Sequence, residues 1–379
     1  MGGKSGNSLA LGLILFASPC AARTVPALPI YGEADFDHVA KLDSHVHANL
    51  DSPIFDAVAR RDGFELLSIN VDYPDFPAFA DQAVVSAKWR RLDPARFHYA
   101  ATFSMKGFGT PGWTARTNAA IDAALAQGAV AVKVWKNIGM VERDPAGRRI
   151  FLDDPRFDGV MRHLEARHIP LIAHQGEPKN CWLPLDQMTT ENDRSYFREH
   201  PEYYMYIHPE EPSYEALMAH RDRFAARHPR LSLVGAHMAS LEWSTDRLAK
   251  FLDRFPQANV DLAARMTQVQ FQSNANRAKV RAFFIKYQDR LMYGTDLTHS
   301  PPDPEARAQN PPATNDFATE ADTAWRSDWR YLATPLSQKI EALKNKSTGG
   351  LALPKRVIDK IYYANARRIF HLGMKPQAR

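Results

Sequence analysis

Eight short apolar runs, each followed by a stretch of helical periodicity, set the strongest limit on what this chain can become. The runs fall at residues 39–43, 65–70, 97–103, 130–135, 170–173, 231–236, 259–263 and 290–294. None alternates apolar and polar residues strictly, which is the pattern of parallel strands covered by helices on the outside. The helices between them are readable. Asp154 followed by Pro155 is an N-cap and a favoured first-turn residue, and Phe157, Val160, Met161 and Leu164 then form one apolar stripe. Leu248, Phe251, Leu252 and Phe255 form another, stopped by Pro256. A third helix is expected over 118–127, ended by Gly128 as its C-terminal cap. Eight alternations in 379 residues predict an α/β fold, a (β/α)8 TIM barrel, with an open doubly wound sheet as the lesser option.

Two connections far exceed the usual link of about two to six residues in such a fold. One covers about residues 175–211, an insertion after strand 5, and the other about 298–322, an insertion after strand 8. The first is dense in aromatic and charged residues, among them Trp182, Tyr196, Phe197, Tyr203, Tyr204 and Tyr206. The second is rich in Pro, Asp and Ala. Both leave the C-terminal ends of strands, where barrel enzymes place their chemistry, so both read as lids or binding loops.

Ahead of the barrel, Lys4 is the only charged residue before Arg23; an apolar run at 9–17 follows it, and small residues close the stretch at 18–22. That layout of charge, core and cleavage site is a secretory signal with cleavage after Ala22, and its core is too short to span a bilayer. Pro19 argues against a lipoprotein reading of Cys20. The expected domains are a signal peptide over 1–22 and one barrel over 23–379, exported to the periplasm or secreted. Removal of the signal leaves Cys181 as the single cysteine, so no internal disulfide forms even in an oxidising compartment. The net charge of +5 is small and the Lys and Arg residues are scattered, which speaks against nucleic acid as a partner. No later segment approaches membrane-spanning length. A small-molecule substrate is the expected partner, and assembly into a homo-oligomer stays open.

Five ligand-type side chains stand at the ends of apolar runs. Leu42-Asp43-Ser44-His45-Val46-His47 closes the first, and residues two apart on a strand share a face, so both imidazoles point into the barrel mouth. His174 follows Leu171-Ile172-Ala173, His237 follows Leu233-Val234-Gly235-Ala236, and Asp296 follows residues 291–295. Neutral imidazole and carboxylate bind zinc and similar divalent ions. An HxH pair is weak by itself in a chain with 14 histidines, and a lone strand-end His is usually a hydrogen-bonded core residue. Five such positions at one end of one barrel are not explained in that way. In Val130-Ala131-Val132-Lys133-Val134-Trp135, Val132 and Val134 take the helix-facing side and Lys133 faces the lumen. A buried ammonium needs compensation. A carboxylate, an anionic substrate or conversion to a carbamate that bridges two metals would each supply it.

In these residues the chain resembles the amidohydrolase superfamily, and within it the amidohydrolase-related (amidohydrolase 2) branch of metal-dependent barrel hydrolases. The matching pattern is HxH after strand 1 (His45, His47), Lys after strand 4 (Lys133), His after strands 5 and 6 (His174, His237) and Asp after strand 8 (Asp296). Tyr293-Gly294-Thr295-Asp296 and Asn365-Ala366-Arg367-Arg368-Ile369-Phe370 resemble the strand-8 and C-terminal helix signatures of that branch.

The resemblance implies one of two metal arrangements. In the first, His45, His47, His174 and Asp296 hold one divalent ion, zinc by expectation, and His237 polarises substrate or positions water. In the second, a carboxylated Lys133 bridges two ions, and His174 with His237 holds the second. Either would bring the pKa of a water from 15.7 towards about 7. Asp296 would carry its proton to the leaving group, and His237, Lys133 or the metal would stabilise the oxyanion. The expected reaction is hydrolysis of a C–N or C–O bond in an amide, lactone or ester. The branch also holds nonoxidative decarboxylases and hydratases of unsaturated or aromatic carboxylic acids, which is the rival expectation. Candidate substrate contacts are Lys136, Glu177, Trp182 and Arg265, joined by Lys179 and Glu242; Arg265 is suited to gripping a carboxylate with both arms of its guanidinium. A barrel that captures a ligand without turnover is a third reading, disfavoured by the complete ligand set.

Overall fold

The computed structural model describes residues 1–3, 28–74, 76–301 and 317–373, so the apolar core and cleavage site of the expected signal segment lie outside the described residues. Nine parallel strands make one sheet: β1 (Lys41–Ala48), β2 (Phe64–Ile69), β3 (Phe97–Ala101), β4 (Ala131–Val134), β5 (Leu171–Ala173), β6 (Leu233–Gly235), β7 (Ala258–Asp261), β8 (Leu291–Met292) and β9 (Leu297–His299). Each expected run carries one of β1 to β8. Every residue of β1 and β2 is buried, because helices cover one side of the sheet and the packed lumen covers the other, which is why no alternation showed in the sequence.

β8 and β9 are two halves of one barrel strand. β8 pairs with β7 (Val260 with Leu291, Asp261 with Met292), whereas β9 pairs with β1 (Val46 with Leu297). Between the halves, the Tyr293 carbonyl accepts from the Ser44 N–H at 3.0 Å, and the Asp296 N–H donates to the His45 carbonyl at 2.8 Å. These bonds close the ring, and the fold is a TIM barrel, not an open sheet. Gly294 is needed in this seam: a Cβ there would lie 3.0 Å from the Cβ of His45.

The expected helices form for the expected reasons. Asp154 accepts from the Arg156 N–H at 2.9 Å, and the helix Asp158–Ala166 buries Val160, Met161 and Leu164. Ser244 caps Thr245–Arg254, which buries Leu248, Phe251 and Leu252. The helix ahead of Gly128 begins earlier than its sequence suggests (Trp113–Ala126), because Trp113 turns inward against Phe103, Phe108 and Phe157. Among the described residues no helix is long and apolar enough to cross a membrane.

The segment after β5 is ordered, not a bare loop. It holds the helix Glu191–Glu199 among short 3₁₀ turns before the chain enters Tyr214–Arg227. The other long connection opens with β9, and the helix Phe317–Ala333 takes up the chain after residues 302–316, which lie outside the described set. The chain then returns beneath strand eight: the Ile361 carbonyl accepts from the Tyr293 N–H at 2.8 Å, and the Asn365 side chain donates to the Leu291 carbonyl at 2.8 Å.

Asp43 ties the seam to the outer layer. Its carboxylate accepts from the Thr295 hydroxyl (2.6 Å), the Trp325 indole N–H (2.9 Å) and the backbone N–H groups of Thr295 (3.1 Å) and His45 (3.3 Å). Asp43→Ala strands these buried donors, at about 1–3 kcal/mol for each one left without an acceptor. We expect the variant to melt lower by roughly 10 °C in differential scanning calorimetry; a change below about 2 °C would show that the seam does not depend on this carboxylate.

Candidate metal centre

Alternation along β1 places His45 and His47 on the lumen side, as their spacing requires. The His47 Nδ1 lies 2.7 Å from the Ile69 carbonyl and the His45 Nδ1 lies 2.9 Å from Asp261 Oδ2. A carbonyl and an ionised carboxylate can only accept, so both Nδ1 atoms carry the proton and both Nε2 atoms keep a lone pair. Those two Nε2 atoms face a common point, 3.4 Å and 3.1 Å from Asp296 Oδ1. The donor atoms of His45, His47 and Asp296 lie within 4.8 Å of one another, as do donors of His45, His237 and Asp261.

His174 leaves β5 with its Nε2 buried and without a hydrogen-bond partner in the structure. Its ring centroid is 4.2 Å from that of His237, which in turn is 4.7 Å from that of His45. His237 Nδ1 lies 3.0 Å from the Ala263 carbonyl, so its Nε2 also keeps its lone pair. His237 opens a left-handed turn of four residues, His237 to Ser240, with φ between 54° and 57°. That turn folds back so tightly that a Cβ on Gly235 would come within 2.6 Å of Ala239. Burial pushes the pKa of His45 down, and those of His174 and His237 far down, so the rings are neutral, the form that binds metals. Burial pushes Asp296 the other way, but the charge that His237, His47 and His45 take up on protonation holds it well below the usual carboxylate range, so a proton entering the cluster goes to a ring before it goes to Asp296. Neutral imidazole nitrogens, one of them orphaned in a buried place, around an ionised carboxylate fit a divalent cation with nitrogen and oxygen ligands.

Lys133 faces the lumen, with its buried Nζ 3.4 Å from His45 Nε2; burial pulls its pKa down to about 8 against the pull of Asp261 and Asp296. Around these groups lies a cavity of about 440 Å³. Tyr73, Phe76, Trp135 and Tyr196 give it an aromatic wall, and Lys136, Glu177 and Arg265 add charge. Lys136 and Glu177 are bonded to each other, and the Lys136 ammonium sits 4.3 Å from the Tyr203 ring centroid. Arg265 is buried; its Nη1 donates to the Ala264 carbonyl, its Nε has no partner, and no carboxylate among the described residues pairs with it.

Trp182, expected at the substrate, is elsewhere. Its indole N–H donates to the Pro212 carbonyl and its ring packs on Tyr214, outside the cavity lining, because the 3₁₀ turn that carries it faces the following helix. Lys179 likewise lies over the Tyr214 ring, 4.3 Å from its centroid. Two lining or supporting carboxylates escaped the sequence reading. Asp193, on the helix inside the first insertion, accepts from Asn180 and Gln268, and nothing in its sequence neighbourhood marks it. Asp261 ends β7 and had a readable signal, an acid at the C-terminal end of a barrel strand.

Residues 42–372 match the model of the amidohydrolase family, and the chain belongs to that family. The fold of this superfamily implies an enzyme, and the family is metal-dependent, in keeping with the His and Asp group in the barrel mouth. No curated protein matches the chain. Among solved structures it is similar to an uncharacterised TIM-barrel protein from Bordetella bronchiseptica, with a TM-score of 0.53 and 12% identity over 88% of this chain and 99% of that one. The 2,6-dihydroxybenzoate decarboxylase from Rhizobium gives a TM-score of 0.50 and 13% identity over 89% and 100%. A protein described as amidohydrolase II gives 0.50 and 16% over 88% and 100%. At these identities the likeness establishes the barrel.

Glu242 supports the rim from below: it is buried, accepts from the Lys179 N–H at 2.8 Å, and is pushed up by burial from the usual 4.5 to about 7. A carboxyl group raised in the folded state contributes stability that is complete below its unfolded pKa and is lost as pH rises through the folded one. Glu242→Gln removes that loss. The melting temperature of the variant relative to wild type should therefore be higher at pH 8 than at pH 4.5; equal differences at both pH values would contradict the assignment.

Proposed function

We propose that the protein is an exported, metal-dependent hydrolase that cleaves a C–N or C–O bond in an amide, lactone or ester. The observation that carries this reading is the convergence of His45 Nε2 and His47 Nε2 on Asp296 Oδ1, with the orphaned His174 Nε2 opening onto the same cavity. His45, His47, His174 and Asp296 would hold the divalent ion, zinc by preference for this ligand set. When bound, such an ion supplies a Lewis acid and makes a water acidic enough to lose a proton near neutral pH.

The remaining chemistry belongs to the chain. Asp296, ionised and facing the cavity, accepts a proton from the attacking water and returns it to the leaving nitrogen or oxygen. His237 presents a lone pair at Nε2, since its Nδ1 proton is committed to Ala263, so it orients the water instead of donating to the oxyanion. Lys133, as an ammonium, is the donor placed for the oxyanion. A carboxylated Lys133 would instead be a shared ligand for two ions, and His174 with His237 would hold the second. The Arg265 guanidinium binds a carboxylate of the substrate, and the aromatic wall takes its flat or apolar body.

One observation favours a second reading. A buried cation facing the cavity with no carboxylate of its own suits a carboxylic acid as substrate, and metal-dependent decarboxylation of an unsaturated or aromatic acid would use the same centre. The barrel's similarity to 2,6-dihydroxybenzoate decarboxylase is compatible with that chemistry. A single panel of amides, lactones, esters and aromatic acids separates the two: we expect hydrolysis without carbon dioxide release, abolished by a chelator and restored by added Zn²⁺. Release of carbon dioxide without hydrolysis would establish the second reading.

Metal analysis of the purified protein beside Lys133→Ala decides the number of ions. One ion per chain in both is the expected result, and a fall from two to one would establish the carboxylated bridge. Export is tested by the mature N-terminus, expected at Arg23; an intact residue 1 on the protein from the producing cell would exclude cleavage.

A further inference from the structure

Asp261 is buried at the end of β7, and its two oxygens receive three N–H groups. Oδ2 takes the His45 Nδ1 proton at 2.9 Å, while Oδ1 takes the backbone N–H of His237 at 2.7 Å and that of Ala263 at 3.2 Å. One of these partners fixes a ring and another fixes the first residue of the left-handed turn. We propose that Asp261 is the positioning residue of the metal centre, one carboxylate that sets the tautomer of His45 and anchors the strained turn carrying His237.

The donor count distinguishes this role from direct ligation. Three of the roughly four lone-pair directions of the carboxylate are taken by hydrogens on nitrogen, and an ion seated between Asp261 Oδ2 and His45 Nδ1 would have to replace a 2.9 Å hydrogen bond. With its proton held on Nδ1, His45 offers Nε2 towards Asp296 and the cavity, which is the side where His47 offers its own. The turn, meanwhile, holds four residues, none of them glycine, in the left-handed conformation, at a steric cost that every residue with a Cβ bears. The Asp261–His237 bond is what the carboxylate contributes against that cost.

Asp261→Asn separates the proposal from ordinary loss of packing, because it keeps the shape and changes one acceptor into a donor. If the amide oxygen faces the two backbone N–H groups, the NH₂ faces His45 Nδ1 and drives the ring proton to Nε2, removing the lone pair aimed at the cavity. If the amide is turned over, its NH₂ meets two N–H groups instead.

The inference rests on the proposed centre, and the experiment keeps the two apart. Co²⁺ is titrated into metal-free wild type and Asp261→Asn against a chromophoric chelator, and the tautomer of ¹⁵N-labelled His45 is read by NMR in both. Affinity in the variant should fall about 10- to 100-fold, with the His45 proton moved from Nδ1 to Nε2. Undiminished Co²⁺ affinity in the variant overturns the proposal, whichever tautomer His45 adopts. If Asp261→Asn does not fold, metal-free wild type decides alone: an Nδ1–H tautomer with a slowly exchanging proton supports it, and an Nε2–H tautomer refutes it. Wild type that binds no Co²⁺ would sink the metal centre itself while leaving the tautomer assignment to stand or fall on the spectrum.

Discussion

The hydrogen bond from the Asp296 N–H to the His45 carbonyl joins the first strand to the last, and most of the structure depends on that junction. It closes the barrel, and the two residues it links also bring a carboxylate and an imidazole to the same point. Closure and the site are thus one event. The carboxylate of Asp43 ties the junction to the outer helix through Trp325, and the turn through Gly294 permits it because nothing larger fits beside His45. The left-handed φ of 72° at Asp296 is part of the same geometry: the chain breaks between β8 and β9 there, and the break aims the side chain into the mouth.

Electrostatics then sort the polar groups by task. Asp261 is held at about 2, its rise from burial outweighed by His45, His237 and Lys133, and its oxygens are occupied by N–H donors. Asp296 keeps an oxygen towards the cavity. Lys136 and Glu177 satisfy each other beneath an aromatic cover, so they contribute shape and local field more than a free charge. Arg265 is a buried cation in no ion pair with the described carboxylates, and it lines the same cavity as the imidazoles. With Asp261 committed, Asp296 free to work, and Lys133 and Arg265 as buried cations outside any ion pair, the site is polarised along a direction that an anionic substrate can read.

The barrel was legible because parallel strands buried on both faces leave continuous apolar runs, and eight of them punctuated by helix caps allow few alternatives. The side chains at the ends of those runs were legible for the same reason: position, not residue type, separated His45, His47, His174, His237, Lys133 and Asp296 from the other histidines, lysines and acids. What stayed hidden depended on partners. β9 carries the polar residues Thr298 and His299 and becomes a strand only because β1 has an open edge beside it. Asp261 stands at a strand end in plain view, but its task shows only where His45 and His237 share its carboxylate. Trp182 illustrates the opposite error, since aromatic density in an insertion says nothing about which face of a short turn looks at the cavity.

The seam has a consequence in time. Ser44 must wait for Tyr293, 249 positions later, and the support from Ile361 and Asn365 comes later still. At about 5–20 residues per second of synthesis, the outer edge of β1 stays unpaired for roughly 10–50 s. Throughout that interval a nascent chain presents an open row of amides and carbonyls next to two histidines, a template for wrong pairing that only the last strand removes.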